Sequence, residues 1–590
     1  MKQVPHAFYQ AQKETFELQL RNVKKQLYIF SILRTLVFLG TVFCVYTFLG
    51  DVQEMLLSMG IGTLFFVVFL NRYLYFKREK TEVETLVALN IKEISALNGA
   101  FLDFESGEVY KDANHAFAND IDLFGVGSFF QYINRTVTDA GERYLVALLK
   151  ENSPKEVVSK QEAIRELSQK PEWRQRFSMK ANLANTEVAS ETILSWLQSY
   201  KCRMPEFIGA LSKVFSVISM VLITSFFAGY LSFSYVLLWY FLGLFISSLY
   251  VKTVNKLQSD AEKSKATFEQ YYYCLEVLEG VDFSSKLLQQ KHASLHTDGV
   301  SVSQVFKKLS KTLDALDQRL NLLFAFFANG LFLWDIQQAA KIERWIALYK
   351  NEVVNWFSVL SFFDAYNSLA NFAFNHPTFE FPNITEKEGV FQAKDLGHPL
   401  LAASKRITSD FSIDKHGFFI ITGANMAGKS TFLRTVSLTV VLANLGLPVC
   451  STSMEYSPVK LLTSMRTSDS LTEDTSYFFS ELKRLKFIVD KLQDSNYFIV
   501  LDEILKGTNS TDKAIGSLKF VEKLVKTKAT GLIATHDLSL CDIEKNYPQI
   551  ENYYFDATIV ADELHFDYKL KKGVCQNMNA SFLLRKMEIV

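Results

Sequence analysis

The stretch Phe418-Phe419-Ile420-Ile421-Thr422-Gly423-Ala424-Asn425-Met426-Ala427-Gly428-Lys429-Ser430 decides the fold of the C-terminal part of the chain. An apolar, β-forming run leads into the pattern G-x-x-x-x-G-K-S, and a helix-forming run over residues 431–445 follows. In a strand, glycine-rich loop and helix of this kind, backbone N–H groups surround phosphate oxygens and the helix N-terminus adds positive charge. The sequence therefore predicts an ATP-binding loop. Its members are Gly423, Ala424, Asn425, Met426, Ala427, Gly428, Lys429, Ser430 and Thr431.

Two carboxylates at the end of a second apolar strand strengthen this prediction. The run Tyr497–Leu501 is followed directly by Asp502 and Glu503. In nucleotide-hydrolysing enzymes, Mg²⁺ is held by the hydroxyl of the loop and by an acid at such a strand end. We therefore expect Ser430 and Asp502 to bind Mg²⁺, and Glu503 to orient or deprotonate the attacking water. A solvated strand end is the structural alternative.

Two more side chains are candidates for contact with the terminal phosphates. Lys429 is expected to reach the β- and γ-phosphates. A third predicted strand, residues 532–535, ends at His536, whose imidazole is placed to touch the γ-phosphate. A purely structural role is the alternative for this histidine. Hydrolysis of ATP with Mg²⁺ is the reaction that these residues predict.

Two long apolar segments lie upstream of this domain. The first covers residues 28–75 and is broken by the polar residues 51–54. The second, Val214–Tyr250, contains no Asp, Glu, Lys or Arg, and as one helix it would measure about 55 Å, against roughly 30 Å for a hydrocarbon core. A turn near residues 229–232 divides it. We expect two transmembrane hairpins with four spans, of which residues 55–70 form the shortest; buried hairpins in a soluble helical domain are the alternative.

The charges beside the four apolar spans predict their orientation. Lys and Arg residues precede the first and third spans and follow the second and fourth, whereas the two tight turns carry only Asp51 and Glu54 or no charge. By the positive-inside rule, both termini and the ATPase domain are expected in the cytoplasm, with the protein multi-pass in the plasma (inner) membrane. The 63 basic and 63 acidic residues balance, so no overall basic charge indicates a nucleic-acid partner.

The remaining residues divide the chain into alternating helical and apolar parts before the α/β domain. Helical patterns occur at 303–327 and 339–360, and the Phe-rich runs 322–332 and 356–374 are expected to pack in the core. Beyond residue 375, short β-rich runs alternate with helices, which favours a mostly parallel, doubly wound sheet. The expected units are 1–76 (lead and hairpin 1), 77–206 (helical core, first part), 207–252 (hairpin 2), 253–375 (helical lever, second part) and 376–590 (an ABC-type α/β P-loop ATPase domain).

Several of these motifs together resemble the MutS family. The resemblance rests on residues 421–434 around the loop, 397–400 before it, 476–482 and 502–512 after it, and on Asp122-Leu123-Phe124 and residues 131–136 in the helical part. It implies a dimer, homomeric or heteromeric, with two composite ATP sites. In such a site Ser476 is the residue expected to reach the partner's γ-phosphate, with a helix N-cap as the alternative. Tyr568 is a candidate for stacking on the base, with an ordinary strand tyrosine as the alternative.

The chain also departs from the MutS pattern. No Phe-x-Glu wedge for mismatched DNA precedes the ATPase, and the hairpin at 214–250 falls where the family inserts its DNA clamp. Two hypotheses follow. In the first, the protein is a membrane-anchored ATPase that binds DNA in repair. In the second, it is an ATP-driven conformational switch that acts on membrane or protein partners without DNA.

Overall fold

A computed structural model describes residues 4–184, 186, 188–295, 301–387, 389–466, 477–493, 496–560 and 563–576. Up to residue 375 the described chain is helical. Its α-helices are α1 (Pro5–Thr47), α2 (Val52–Leu97), α3 (Phe129–Ile133), α4 (Asp139–Glu151), α5 (Val157–Ser168), α6 (Pro171–Ala181), α7 (Ser190–Ser199), α8 (Ile208–Phe227), α9 (Phe233–Glu279), α10 (Lys286–Ala293), α11 (Val302–Asp317), α12 (Leu322–Phe332), α13 (Trp334–Tyr349) and α14 (Glu352–Asn375).

The two predicted hairpins are present as the pairs α1–α2 and α8–α9. Asp51 ends the first turn by capping α2, since its carboxylate accepts hydrogen bonds from the backbone N–H groups of Gln53 and Glu54 at 3.1 and 3.3 Å. Ser232 caps α9 in the same way. By length and composition, α1, α2, α8 and α9 are each able to cross a membrane, and their apolar windows are almost entirely uncovered by protein. Membrane crossing itself stays a prediction.

Helices α2 and α9 are much longer than their apolar segments. α2 continues to Leu97 and α9 to Glu279, so each carries an apolar first half and a second half that packs in the helical core. The second half of α9 supplies many buried residues, among them Phe268 and Tyr271. Each hairpin is therefore joined to the core by an uninterrupted helix rather than by a flexible linker.

Two of the predicted long helices are wrong in their extent. The pattern at 303–327 is split, because α11 ends at Asp317, a 3₁₀ turn follows, and Asn321 starts α12 by accepting a hydrogen bond from the N–H of Phe324 at 3.3 Å. The pattern at 339–360 is likewise divided between α13 and α14. These two helices pack against different neighbours, α13 against α11 and α8 and α14 against α4 and α5, so the chain bends between them.

The expectation that both Phe-rich runs pack in the core holds for only one of them. In α14 nearly every side chain is buried, including Phe362 and Phe363. In α12, by contrast, Phe326 and Phe327 are 57% and 64% exposed. This helix packs against α8 and α9, so its outer face continues the exposed apolar surface of the second hairpin.

The C-terminal part is an α/β domain, as predicted, with two mixed sheets. Its elements are β1 (Asn383–Ile384), β2 (Phe391–Leu396), β3 (Ser409–Ile413), β4 (Phe418–Gly423), α15 (Lys429–Asn444), β5 (Ser453–Tyr456), β6 (Lys460–Ser464), α16 (Tyr477–Lys491), β7 (Tyr497–Asp502), α17 (Ser510–Lys526), β8 (Thr530–Ala534), β9 (Ile550–Val560) and β10 (Glu563–Lys572). The small sheet has the order β1-β5-β2-β3 and the large sheet the order β10-β9-β4-β8-β7-β6.

The order of the large sheet determines where the site forms. Strands β9, β4, β8, β7 and β6 are parallel and only β10 is antiparallel to its neighbour, so the sheet is mostly but not wholly parallel. β8 lies between β4 and β7. The loops that leave the carboxyl ends of these three strands therefore meet at one edge, which is where ligands bind in open α/β sheets.

Candidate nucleotide site

The predicted loop connects β4 to α15 and has the backbone conformation that its glycines allow. Gly423 and Gly428 have φ angles of +150° and +105°. A Cβ atom at Gly423 would lie 2.7 Å from the carbonyl oxygen of Phe555 on β9, so a larger residue does not fit there. Because α15 begins at Lys429, the unpaired N–H groups of its first turn face the loop. This strand, loop and helix can hold phosphate.

Lys429 lies folded over the loop. Its ammonium group donates hydrogen bonds to the carbonyl oxygens of Gly423 at 2.8 Å and Ala424 at 3.0 Å, and its Nζ lies 3.3 Å from Nε2 of His536. Burial lowers the pKa of Lys429, while the carboxylates of Asp502 and Glu503 oppose this shift. A phosphate group would give this ammonium a charged partner in place of two carbonyls.

Ser430 and Asp502 are in direct contact. The Ser430 hydroxyl donates a hydrogen bond to Oδ2 of Asp502 at 2.6 Å. A hydroxyl and a carboxylate oxygen at this separation are hard oxygen donors of the kind that Mg²⁺ prefers, and Mg²⁺ usually takes its other ligands from water and phosphates. The two residues therefore fit a magnesium ion bound between them and a nucleotide.

Glu503 and His536 form a second pair beside the first. Nε2 of His536 lies 2.8 Å from Oε1 of Glu503, and this hydrogen bond is the main reason why the pKa of Glu503 falls to about 2. Glu503 has a left-handed backbone, with φ of +50°, and its N–H donates to the carbonyl of Ala534 on β8. The carboxylate is thus ionised at neutral pH and fixed at the sheet edge, which suits a group that orients water.

Glu481 supports this turn, and it was not singled out from the sequence. This side chain of α16 is buried, and its two carboxylate oxygens accept hydrogen bonds from the backbone N–H groups of Leu505 at 2.6 Å and Lys506 at 3.0 Å. Burial raises the pKa of Glu481, and the two N–H groups oppose that change. Its contact is 24 residues away in sequence, so no local pattern could have indicated it.

Lys429, Ser430, Asp502, Glu503 and His536 line one cavity of about 600 Å³, a size typical of small-molecule sites. Tyr568 is part of its lining. It lies at the irregularity in the pairing of β10 with β9, has φ of +52°, and packs so closely on the loop that a Cβ at Gly428 would be 3.0 Å from its ring. Ile407 and the exposed Met426 line the same cavity. Stacking of Tyr568 on a base stays a prediction.

The cavity brings together most of the residues predicted from the sequence. Those in its lining are Ala424, Asn425, Met426, Ala427, Gly428, Lys429, Ser430, Thr431, Asp502, Glu503, His536 and Tyr568. Gly423 holds the loop from β4. Ser476, predicted to reach a partner subunit, lies outside the described residues. The individual roles of these residues stay predictions.

Two acidic residues of the helical part form ion pairs and hydrogen bonds with the ATPase domain next to this site. Asp122 forms ion pairs with Arg434 of α15, at 3.0 Å, and with Arg466, and the backbone N–H of Arg466 donates to Asp120 at 2.8 Å. The hydroxyl of Thr463 on β6 also donates to Asp120, at 2.5 Å. The helix that follows the phosphate loop is therefore tied directly to the helical core.

Comparison with known proteins is consistent with this geometry. The mostly parallel sheet, the glycine-rich loop and the cavity beside it are the arrangement expected of a nucleotide-binding α/β domain. Residues 419–585 match the family model of MutS domain V. The match lies within the α/β domain, which is therefore similar to domain V of the MutS family, as the motifs predicted.

Three relatives illustrate the extent of the similarity. "MutS protein homolog 4" of Homo sapiens is 34% identical over 197 residues, which cover 31% of this chain and 20% of the relative. "DNA mismatch repair protein MutS" of Finegoldia magna is 31% identical over 272 residues, covering 45% of this chain and 30% of the relative. The protein of that name from Natronomonas pharaonis is 36% identical over 160 residues, 27% of this chain and 18% of the relative. The chain thus spans less than a third of the length of these relatives.

Proposed function

We propose that the chain is a membrane-anchored ATPase of MutS type that hydrolyses ATP with Mg²⁺ as a dimer and couples this cycle to DNA in repair. The observation that carries the proposal is the pairing of Ser430 with Asp502 and of Glu503 with His536 in one cavity of a MutS domain V. One pair supplies metal ligands and the other an ionised carboxylate, which are the two groups that hydrolysis of a phosphoanhydride requires.

In the proposed reaction, each side chain of the site has a separate role. Lys429 and the N–H groups of the loop bind the β- and γ-phosphates, and Ser430 and Asp502 hold Mg²⁺, which neutralises phosphate charge. Glu503 orients the attacking water with its carboxylate, and its bond to His536 keeps it ionised. A serine of the partner subunit, Ser476, completes each site across the dimer.

Insertion of both hairpins in the plasma (inner) membrane is supported by their surfaces. The apolar residues of α1, α2, α8 and α9 face outward rather than into the protein, which in water would expose an apolar surface far larger than monomeric proteins tolerate. The basic residues lie at the ends that lead into the helical core, and the opposite turns have none. This asymmetry supports the proposed orientation, with both termini and the ATPase domain in the cytoplasm.

DNA is the partner that the names of the relatives favour. Two of the three are DNA mismatch repair proteins by name, and they share the ATPase domain with this chain. Because the chain spans less than a third of their length, the use of DNA is part of the proposal. The dimer is homomeric in its simplest form, and a heteromeric one would use the same composite site.

The second candidate, a switch that acts on membrane or protein partners, is favoured by the mechanical connections. α2 and α9 run without a break from the apolar hairpins into the core, and the core is bound through Asp122 to α15, the helix that follows the phosphate loop. A movement of α15 on nucleotide binding would therefore reach the hairpins through rigid elements.

The ATPase rate of the purified protein with and without DNA separates the two candidates. The protein is solubilised in detergent, and duplex, mismatched and branched DNA are added at two salt concentrations, with Glu503→Gln as the inactive control. Stimulation that weakens steeply with salt supports DNA binding through phosphate contacts. A rate that depends on Glu503 but is indifferent to every DNA contradicts the DNA function and favours the switch.

Extraction from membranes tests the anchor independently of any activity. Isolated cell membranes are washed with alkaline carbonate and then with detergent. Four lipid-embedded helices predict that the protein stays in the membrane until detergent is added. Release by carbonate alone would contradict the anchor.

A further inference from the structure

Residues 320–334 form a segment without charge whose two ends meet. It contains the short apolar helix α12 and has no Asp, Glu, Lys or Arg. The charged residues that bracket it pair with each other, since Nε of Arg319 lies 2.8 Å from Oδ2 of Asp335. Nε1 of Trp334 also donates to the carbonyl of Ala315, at 2.7 Å. The segment therefore leaves the helical core and returns to it at nearly the same place.

The side of α12 that faces away from the protein is apolar. Leu322, Leu323, Phe326 and Phe327 are each more than half exposed, and so is Leu320 just before the helix. Residues three and four apart are neighbours on a helix, so the four side chains of α12 form one continuous patch. The described residues leave this patch largely uncovered. Patches of this kind mark a surface that contacts a partner or a membrane.

The opposite side of α12 packs on the second hairpin, within the part that has no charge. Gly330 lies so close to Gly243 of α9 that a Cβ atom at Gly243 would collide with the carbonyl oxygen of Gly330, and the ring of Tyr240 covers Gly330. Tyr240 and Gly243 both belong to the charge-free residues 214–250. Small residues that let two helix backbones approach closely are typical of helix packing in membranes. The C-terminal end of α12 is thus level with the proposed fourth span.

The last carbonyl groups of α12 are satisfied by side chains rather than left to water. The hydroxyl of Ser219, on α8, donates to the carbonyl of Leu331, and the amide of Gln337 donates to the carbonyl of Phe332 at 2.8 Å. Nε1 of Trp239, on α9, donates to the Ser219 hydroxyl at 2.8 Å. The end of a helix has no internal partner for these carbonyls, and hydrocarbon offers none. This helix end is therefore compatible with apolar surroundings.

The start of the segment lies toward the cytoplasmic end of α9. Nη1 of Arg319 donates to Gln258 at 3.0 Å, and Gln258 comes after Lys252 and Lys256, the basic residues that follow the fourth span. From Gln258 back to Gly243, α9 rises by about 22 Å. The 11 residues of α12 measure about 16 Å, roughly half of a hydrocarbon core of about 30 Å. The helix is long enough to enter one leaflet and too short to cross both.

We propose that α12 is a fifth membrane-embedded helix, which enters the cytoplasmic leaflet beside α8 and α9 and contacts lipid acyl chains with its exposed leucine and phenylalanine side chains. Because α12 is placed relative to the second hairpin, this inference rests on the proposed membrane anchor. Acyl chains are favoured over a second copy of the chain because α9 also exposes Phe241 and Phe245 beside its contact with α12. The flanking helices α11 and α13 pack in the helical core, so the core has its own contact with the bilayer.

Collision of spin labels with oxygen and with a nickel chelate tests this position. The full-length protein is reconstituted in vesicles of phosphatidylcholine and phosphatidylglycerol. Cys44 and Cys202 are replaced by Ser, because the other four cysteines are buried. A nitroxide label is attached at Phe327→Cys on α12, at Phe241→Cys on α9 as the lipid control, or at Ile515→Cys on α17 as the water control. All three side chains are exposed, so the substitutions leave the packing intact.

Oxygen concentrates in hydrocarbon and the nickel chelate stays in water, so the ratio of the two collision rates reports the surroundings of each label. The label at Phe327→Cys is expected to have the ratio of the label at Phe241→Cys, several-fold above that at Ile515→Cys. A label at Leu323→Cys, one turn earlier on the same face, is expected to have a lower ratio than that at Phe327→Cys, because it lies nearer the cytoplasmic surface.

Three results would overturn the proposal, and they have different meanings. A ratio at Phe327→Cys equal to that at Ile515→Cys, with Phe241→Cys still in lipid, would place α12 in water although the anchor stands. A label at Phe327→Cys that neither reagent reaches would be covered by protein, as in a contact between two copies. A label at Phe241→Cys with the ratio of Ile515→Cys would contradict the anchor itself, and the embedding of α12 with it.

Discussion

Replacing Glu481 by Gln tests whether the turn after the acidic strand must be held for catalysis. The Glu481 carboxylate accepts two backbone hydrogen bonds, from Leu505 and Lys506, directly after Glu503. Both Glu503 and Leu505 have left-handed backbones, with φ of +50° and +60°, which non-glycine residues seldom adopt without support. On the proposed mechanism, Glu481 is therefore expected to act as a positioning residue for the Glu503 carboxylate, through the backbone of this turn.

The expected size of the effect follows from the hydrogen bonds. A bond between an N–H group and a buried carboxylate contributes about 1.5–3 kcal/mol. A glutamine can accept only one of the two bonds, and its NH₂ group would then face the other N–H. We therefore expect Glu481→Gln to lose about 2–3 kcal/mol of support for this turn, and a turnover number lower by about 30- to 150-fold if the whole loss falls on the transition state.

Steady-state phosphate release measures this effect. The fall is expected in kcat, with KM for ATP changed little, because Glu481 does not line the nucleotide cavity. Asp490→Asn, at an exposed ion pair on the same helix, makes the same charge change and is expected to keep full activity. A Glu481→Gln enzyme with the kcat of Asp490→Asn would refute the positioning role.

Three further predictions concern other parts of the molecule. Tyr568→Ala should raise KM for ATP about tenfold, because the ring that packs on Gly428 would no longer stack on the base. A steady-state KM within twofold of the unsubstituted value would exclude stacking. Lowering the pH from about 6.5 toward 4 should lower the thermal midpoint. Burial brings the pKa of His376 down to about 4, so in this pH range the unfolded chain binds a proton more readily than the folded protein. The loss of folding stability begins as the pH falls below about 6.5 and reaches at most about 3 kcal/mol. Gly243→Ala should lower the thermal midpoint as well, because the added Cβ would lie 2.1 Å from the carbonyl oxygen of Gly330 and force α9 from α12, at a cost of about 1–3 kcal/mol.

Matched variants control each of these measurements. Tyr568→Phe keeps the ring and should keep the affinity for ATP. His376→Gln should make the pH dependence shallower, and an unchanged slope would show that this histidine is not responsible. Gly60→Ala, on α2, adds a Cβ where nothing lies within 4 Å and should leave the midpoint unchanged or raised. A midpoint for Gly243→Ala equal to that of Gly60→Ala would contradict the close packing of α9 on α12.

The site could be predicted from the sequence where local residues decide the conformation. The glycines of the loop, the apolar strand before them and the helix-forming run after Lys429 together predict a phosphate loop at this position. Asp502 and His536 follow apolar strands, and the ends of parallel strands meet at one edge once the sheet forms. Only the order of the strands, with β8 between β4 and β7, needed the structure.

Other features depend on contacts between distant residues, which no local pattern records. Tyr568 reaches the loop only because the pairing of β10 with β9 is irregular between Phe566 and Leu570. The extent of the helices at 303–360 depends on a cap at Asn321 and on different packing partners. The exposure of Phe327 could not be predicted either, because an apolar side chain fits equally well against protein or lipid.

The most direct test of the central claim measures ATP binding and ATP hydrolysis separately, in the purified full-length protein and in its Glu503→Gln variant. The account predicts that the variant binds ATP and Mg²⁺ as tightly as the unsubstituted protein but releases phosphate at least about 100-fold more slowly, because only the water-orienting carboxylate is lost. A Glu503→Gln variant that hydrolyses ATP at the normal rate, or an unsubstituted protein that binds ATP without turnover, would contradict it.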